Sequence, residues 1–553
     1  MSGTRVTPAA GGSQRDPANP ANSAPGHRWT DPVSLAIAGF TVLGLALRLF
    51  LLSRPGYLLG VTQYDDGPYF GSALRLVHGA LPYRDFIIVQ PPGITLLMSP
   101  AALLAQVTGT AWGMAVGRML TIAASSAGIL IVGLLVRHRG LIPVSLACGI
   151  LAIFPGSLVA AHTVLLEPWL TLFCLIGALV LLDRDRLAAS HRRLVWAGVA
   201  FGFAGAVEVW AILPVLVVAV LLVIQAAGRA ARFVAGVAIG FCVPVIPFAL
   251  TAPRRFYNSF FAAQLFRVVP SRTPVEKRLR LMTGIGQVLH LNSTGVLILS
   301  LAIVALIVVA LPVAWLFTRR PLTDLDWFAV GSCTLIVAAF LWYAQFFLHF
   351  PAFLAPFLGM SIGLAAARLT RPRPEPASAG PASTGPASTG PASTGRGWLE
   401  WTVVGLITVA VLALAVPQVN QERTVKPRVS AAAMAAVRRI VPPGACVLTD
   451  QVSYTIAADR FYSTVPGCSL LVDSIGTDYA LGHGRDASSG AARYPAVDAV
   501  WRSAFAHAQY VWLSLRFNQR RIAWTPALRS YFHHHFHRVL RDGTDDVLYA
   551  RTG

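Results

Sequence analysis

The sequence predicts a polytopic α-helical membrane protein with a small α/β unit toward its C-terminal end. Three observations carry that reading. Apolar runs of about 20 residues, the length that spans a bilayer core, recur between residues 33 and 418. Only 12% of the 553 residues are charged and 55% are hydrophobic, too little charge to cover a soluble chain of this length. Arginines gather in short clusters between the apolar runs, as they do in loops that border a membrane. That placement also argues against nucleic acid as a partner, although the formal charge is +21 and membrane lipids are the expected surroundings.

Residues 1–32 form a polar tail rich in Pro, Ala and Ser, expected to be disordered and cytoplasmic. The membrane domain is expected over 33–369. Its spanning candidates are 33–52, 112–136, 142–161, 164–182, 194–208, 210–226, 231–251, 293–318, 326–346 and 350–369, and 400–418 brings the count to about 11. The apolar stretch 92–108 is broken by Pro and Gly and reads as a re-entrant or interfacial helix. With the N-terminus cytoplasmic, Arg137–Arg139, Arg184–Arg193, Arg229 and Arg232, Arg319 and Arg320, and Arg368–Arg373 all fall on the cytoplasmic side. This is a multi-pass plasma-membrane arrangement with outer loops at 53–111 and 252–292. The second outer loop carries seven basic residues from Arg254 to Arg280. It reads either as tolerated charge in a long loop or as a surface that holds a phosphate group.

The repeat PASTG marks 370–399 as a low-complexity cytoplasmic linker before the last spanning helix, 400–418. Residues 419–553 are expected to form an extracytoplasmic α/β domain. Its predicted strands are 443–449, 509–515 and 545–550, and its predicted helices 452–460, 497–508 and 517–540. Cys446 and Cys468 would form a disulfide there or remain buried thiols. The run His533, His534, His535 and His537 points in several directions from one helix and lacks Cys or acidic partners at ligand spacing. It therefore reads as a solvated face, not a zinc site.

The chemistry-bearing segment is the first outer loop. Asp65 and Asp66 stand about a dozen residues beyond the first spanning helix, where an unpaired charge near hydrocarbon is costly. They are either functional or an N-cap for the following helix, since Asp before Gly-Pro caps well.

The ordered set Asp65-Asp66-Gly67-Pro68-Tyr69, Gly79-Ala80-Leu81-Pro82-Tyr83-Arg84-Asp85-Phe86 and Gln90-Pro91-Pro92-Gly93 resembles the first outer loop of the GT-C glycosyltransferases. That superfamily uses polyprenyl-phosphate sugars and includes protein O-mannosyltransferases, lipid A aminoarabinose transferases and mycobacterial arabinosyl- and mannosyltransferases. Arg118 resembles the arginine that opens the family's next helix, and the stretch from His162 to Glu167 and Pro168 resembles its acidic-Pro element. The match covers roughly residues 33–250 and is architectural beyond them.

The resemblance implies a GT-C-like fold and an inverting transfer of a sugar, mannose or arabinose, from a polyprenyl monophosphate. The acceptor would be an extracytoplasmic cell-envelope glycan, glycolipid or protein. It implies Asp65 as general base, Asp66 as a residue that orients the acceptor, and Glu167 as a further acidic group with His162 beside it. Tyr64, Tyr69, Arg84, Asp85 and Gln90 would line the substrate, while Arg267 and His349 would face the donor phosphate. No cofactor is required outright. The resemblance leaves open a divalent metal, magnesium or manganese, held by Asp66 and Glu167.

Physically, such a transfer needs a base for the acceptor hydroxyl and cations for the departing phosphate. No Gly-rich nucleotide loop is present, which suits a donor that arrives within the bilayer. One position departs from the pattern: Glu208 stands where aminoarabinose transferases often carry Lys. The rival reading is a transporter or flippase of lipid-linked sugars, which would place its polar residues at mid-membrane on broken helices. A catalytically idle scaffold is a third.

Overall fold

The computed structural model describes residues 31–269, 272–284, 293–370, 394–424, 428–514, 521–542 and 546–552. The expected tail up to residue 30 and most of the 370–399 linker lie outside them.

Helix α1 (Pro32–Leu52) starts where Asp31 accepts a hydrogen bond from the Ser34 amide, with Pro at its first position. Two short helices, α2 (Asp66–Val77) and α3 (Gly93–Thr108), precede the long α4 (Thr110–Val136). After α5 (Leu141–Ile153) the chain turns by 53° into α6 (Pro155–Ala161). Pro155 has no N–H to offer the preceding turn. The buried Arg48 of α1 fills that gap, donating to the carbonyls of Leu151 (3.3 Å) and Ala152 (3.1 Å) and to Ser125 Oγ (2.9 Å).

Next come α7 (Glu167–Leu181), the hairpin β1–β2 (Leu182–Asp183, Arg186–Leu187), α8 (His191–Val207), α9 (Ile212–Gln225) and α10 (Ala227–Thr251). Helices α8 and α10 touch backbone to backbone. A side chain at Gly198 or Gly202 would collide with the Phe233 or Val237 carbonyl, and one at Gly236 or Gly240 with the Val195 or Val199 carbonyl. This reciprocal pair of Gly-xxx-Gly steps is how helices close on each other where lipid supplies no hydrophobic drive.

The segment expected as the second outer loop holds α11 (Pro253–Phe256), α12 (Ala263–Leu265) and α13 (Val275–Thr283). Helices α14 (Ser293–Thr318), α15 (Asp324–Trp342), α16 (Pro351–Thr370) and α17 (Thr394–Thr424) complete the bundle. Among the described residues, six helices are long and apolar enough to cross a membrane, or seven with the bent α5–α6 pair. Helices α7 and α9 are apolar but shorter, and α3 (16 residues) lies in the stretch expected to be re-entrant.

One end of the bundle is latched by buried charges. Asp326 accepts from Arg368 and faces Arg139 at 3.6 Å, while Arg139 and His138 both hold Asp185. Asp31 pairs with Arg137 at this same end. The loop between α1 and α2 lies at the opposite end of α4, which at about 1.5 Å per residue is long enough to cross a bilayer.

The C-terminal part packs on that opposite end. It contains α18 (Ala431–Ile440), α19 (Val452–Ala457), α20 (Ser474–Leu481), α21 (Pro495–His507) and α22 (Pro526–His535). Its strands β3 (Val447–Thr449), β4 (Tyr510–Ser514), β5 (Phe536–Asp542) and β6 (Asp546–Arg551) form one sheet in the order β3-β4-β6-β5. Only β3 and β4 run parallel. The core beneath is aromatic, with Trp501 and Phe505 fully buried. The helix expected over 517–540 is corrected at both ends. Residues 517–520 lie outside the described residues, 522–525 are not helical, and the helix runs only Pro526–His535 from its Thr525 cap. Phe536–Asp542 pairs with β6, because Phe536, Val539 and Leu540 serve the sheet. Cys446 and Cys468 are joined by a disulfide.

Candidate active site

The two adjacent aspartates take different jobs because they sit at successive positions of a helix start, about 100° apart around its axis. Asp66 turns inward. Its Oδ2 accepts from Arg118 (3.0 Å), Thr163 (2.7 Å) and Thr62 (3.4 Å). Arg118 also donates to the carbonyls of Tyr57, Leu58 and Gly60, so one guanidinium gathers the whole loop. Both side chains are wholly buried, and a buried charge of this kind must be paired.

Asp65 turns the other way and is half-buried. Its carbonyl accepts from the Tyr69 amide, but its carboxylate makes no capping bond, so the helix-cap alternative does not account for the side chain. Burial pushes its pKa up to about 6. His349 offsets part of that rise, and the charges of Asp473, Glu167 and Asp66 add to it.

Those influences outline the site. Glu167, buried at the start of α7, has Oε1 3.8 Å from His349 Nε2 and leaves Oε2 without a hydrogen bond. Glu208 stands in extended backbone between α8 and α9, buried, with its own Oε2 unpartnered. Tyr69 lies among them: burial raises its phenol pKa, and the charges of Asp65, Glu208, Glu167 and Asp473 raise it further. His349, in the turn before α16, has its pKa pushed down to about 4 by burial, and the nearby Asp65 opposes that shift.

The C-terminal part supplies the remaining wall. Tyr64 donates to Asp473 Oδ1 at 3.0 Å, and its oxygen accepts from the Ile475 amide at 3.0 Å, with Ser474 Oγ at 2.9 Å. Arg521 stacks 4.3 Å above the Tyr64 ring. The Gln63 carbonyl accepts from Gln451 Nε2 (2.8 Å) and Ser453 Oγ (3.2 Å). Arg267 donates to Gln345 Oε1 at 2.6 Å, stacks 4.2 Å over Tyr479, and acts electrostatically on Asp473.

Asp65, Glu167, Tyr64, Tyr69, Arg267 and His349 are thus brought together around the loop. Arg84 and Asp85 are not: they pair with each other at 2.8 Å in an exposed turn, where Asp85 also accepts from the Leu81 amide. Gln90 contributes its carbonyl, which takes the Tyr83 hydroxyl at 2.6 Å. His162 is committed to its own helix, with Nδ1 3.2 Å from the Leu158 carbonyl and its ring edge-on to Tyr57.

The broad basic loop also divides. Arg278 is buried and donates to the carbonyls of Phe340, Leu341, Tyr343 and Ala344, sealing the end of α15, so it is not part of a phosphate surface. Sequence reasoning missed Asp473, Tyr479, Gln345 and Arg521, because nothing local marks them. At Asp66, Arg118, Thr163 and Thr62 all hold Oδ2, which leaves Oδ1 as the one oxygen this carboxylate has to offer a metal. Among the described residues, no group of three or more His, Cys, Asp or Glu converges.

Taken together, the helical bundle with its acidic loop at one end has the fold of the GT-C membrane glycosyltransferases. ArnT from Cupriavidus metallidurans bound to undecaprenyl phosphate matches with a TM-score of 0.59 at 17% identity, over 93% of this chain and 98% of that one. The apo state of the same protein matches at 0.58 and 15% identity, over 94% and 98%. The apo oligosaccharyltransferase of Archaeoglobus fulgidus matches at 0.52 and 12% identity, over 95% and 75%. At these identities the likeness is one of fold. No family model and no curated protein matches the sequence.

Proposed function

We propose that the protein is a membrane glycosyltransferase that moves a sugar from a polyprenyl monophosphate to an extracytoplasmic acceptor with inversion at the sugar. One observation carries the reading: Asp65 presents a half-buried carboxylate, raised to about 6 and free of any capping bond, in a cluster that also contains Arg267. A carboxylate so placed takes the proton of an acceptor hydroxyl as that oxygen bonds to the sugar's anomeric carbon. The bond from that carbon to the phosphate oxygen breaks with its electron pair on the phosphate, which Arg267 is suited to hold as it departs. Attack opposite the leaving phosphate inverts the centre. His349 and Glu167 would bound the sugar, with mannose or arabinose the expected donor sugars.

A solved structure of this fold holds undecaprenyl phosphate, which supports a polyprenyl carrier. The Cys446–Cys468 disulfide suits an oxidising compartment, so the C-terminal part (419–553) would lie outside the cytoplasm. The arginine-rich latch then faces inward, with about 11 crossings made by 33–369 and 400–418. A transporter is disfavoured because the acids without a cationic partner gather at one end of the bundle, Asp65 and Glu167 at the starts of α2 and α7 and Glu208 between α8 and α9.

The test is to offer the full-length protein in nanodiscs a panel of undecaprenyl-phosphate sugars and measure undecaprenyl phosphate released with a sugar acceptor mixture present. Release from one donor above the protein-free control is expected. No release from any donor would sink the reading.

A further inference from the structure

The loop between α1 and α2 meets the C-terminal part at α19, where Gln451 and Ser453 hold the Gln63 carbonyl, and at a second short helix, α20, with the residues before it. Asp473 caps α20, accepting from the Gly476 amide at 2.8 Å, and the same oxygen takes the Tyr64 hydroxyl at 3.0 Å. Ser474 and Ile475 complete a three-sided grip on that phenol. Tyr64 directly precedes Asp65, so its position fixes where the Asp65 carboxylate begins. Further along the same helix, Tyr479 lies under the Arg267 guanidinium at 4.2 Å, and its hydroxyl accepts from Gln345 Nε2 at 3.2 Å. Gln345 in turn accepts from Arg267 at 2.6 Å.

The helix itself cannot drift. Asp478 takes the indole N–H of the fully buried Trp501 at 2.9 Å, and the Val268 amide donates to the Gly484 carbonyl at 2.7 Å just beyond the helix end. A rigid support locked by its own packing is what holds reacting groups to a fraction of an ångström.

We propose that α20 is the positioning element of the site: Asp473, through Tyr64, aims the base Asp65, and Tyr479 holds Arg267 toward the donor phosphate. The proposal rests on the transferase reading above. It makes Asp473 and Tyr479 positioning residues for different halves of one reaction, so their loss damages different kinetic parameters. A merely structural helix would lose both parameters alike whichever residue was changed.

The experiment is steady-state transfer by the full-length protein in nanodiscs, with the undecaprenyl-phosphate sugar found active. Asp473→Ala is expected to lower kcat by about tenfold or more while donor KM stays within about twofold. Asp473→Asn, which still offers an oxygen to the phenol, should recover most of that loss. Tyr64→Phe should reproduce it, and combining Tyr64→Phe with Asp473→Ala should add little. Tyr479→Leu is expected to raise donor KM by about fivefold with kcat largely kept. If Asp473→Ala does not fold, Asp473→Asn and Tyr64→Phe carry the comparison. Equal effects of Asp473 and Tyr479 variants on the same parameter, or multiplying losses at Tyr64 and Asp473, would overturn the assignment while leaving the transferase reading intact. Wild-type protein that transfers no sugar would overturn the transferase reading first.

Discussion

Arg118 binds Asp66 at 3.0 Å with both side chains wholly buried, and the same guanidinium holds the carbonyls of Tyr57, Leu58 and Gly60. The pair anchors the loop that carries Asp65. Removing one partner strands a charge in an apolar setting, so Asp66→Ala and Arg118→Met should each cost about 3–5 kcal/mol. Denaturation of the detergent-solubilised protein reads this directly. Stabilities near wild type would show that the pair is dispensable.

Transfer should depend on pH through Asp65. A base works only when ionised, and this carboxyl is raised to about 6, so the protonated, idle fraction grows as pH falls toward and below that value. The acid limb of kcat/KM should therefore lie near 6. A limb at about 4, the ordinary carboxylate range, would contradict the placement of Asp65 in a desolvated acidic cluster.

Arg48 is the one wholly buried cation of α1, and its partners are the carbonyls freed where α5 breaks at Pro155. Arg48→Met leaves those acceptors unpaired and should cost about 3 kcal/mol. Arg48→Lys keeps the charge but loses the fork that spans several acceptors, so it should recover only part of the loss. Unaltered thermal stability of Arg48→Met would refute this role.

The Cys446–Cys468 bridge spans a sequence separation of 22 residues, and its reduction should weaken the C-terminal part by about 3 kcal/mol. In intact cells, a membrane-impermeant maleimide should label these two thiols only after reduction. Labelling that requires the cytoplasm to be opened would reverse the proposed orientation.

Much of the site was legible because one stretch of sequence carries it. Asp65, Asp66 and Tyr69 fall within a single turn and a half of helix, and Glu167 opens α7 at the same end of the bundle. Arg118, expected to open its helix, lies about two turns inside α4 yet reaches Asp66. The roles of the two aspartates were not separable, since which one turns toward Arg118 depends on helix phase and not on residue type. Asp473 could not have been found. It reaches Tyr64 across 409 positions of chain, and no local pattern distinguishes it from any other helix cap. Arg278 misled for the opposite reason: a charge in a polar, basic stretch reads as surface, yet here it seals four carbonyls at the end of α15. The segment after His535 looked helical because histidine and arginine are compatible with a helix. Pairing with β6 decided otherwise, as tertiary contacts commonly override weak propensity.

The most direct measurement is single-turnover transfer by Asp65→Asn alongside binding of undecaprenyl phosphate to the same protein. The change preserves shape and removes the base. Transfer should fall by about a hundredfold or more while the lipid phosphate still binds with near wild-type affinity. Transfer that proceeds undiminished through an asparagine at this position would contradict the assignment of Asp65 as the group that takes the acceptor's proton.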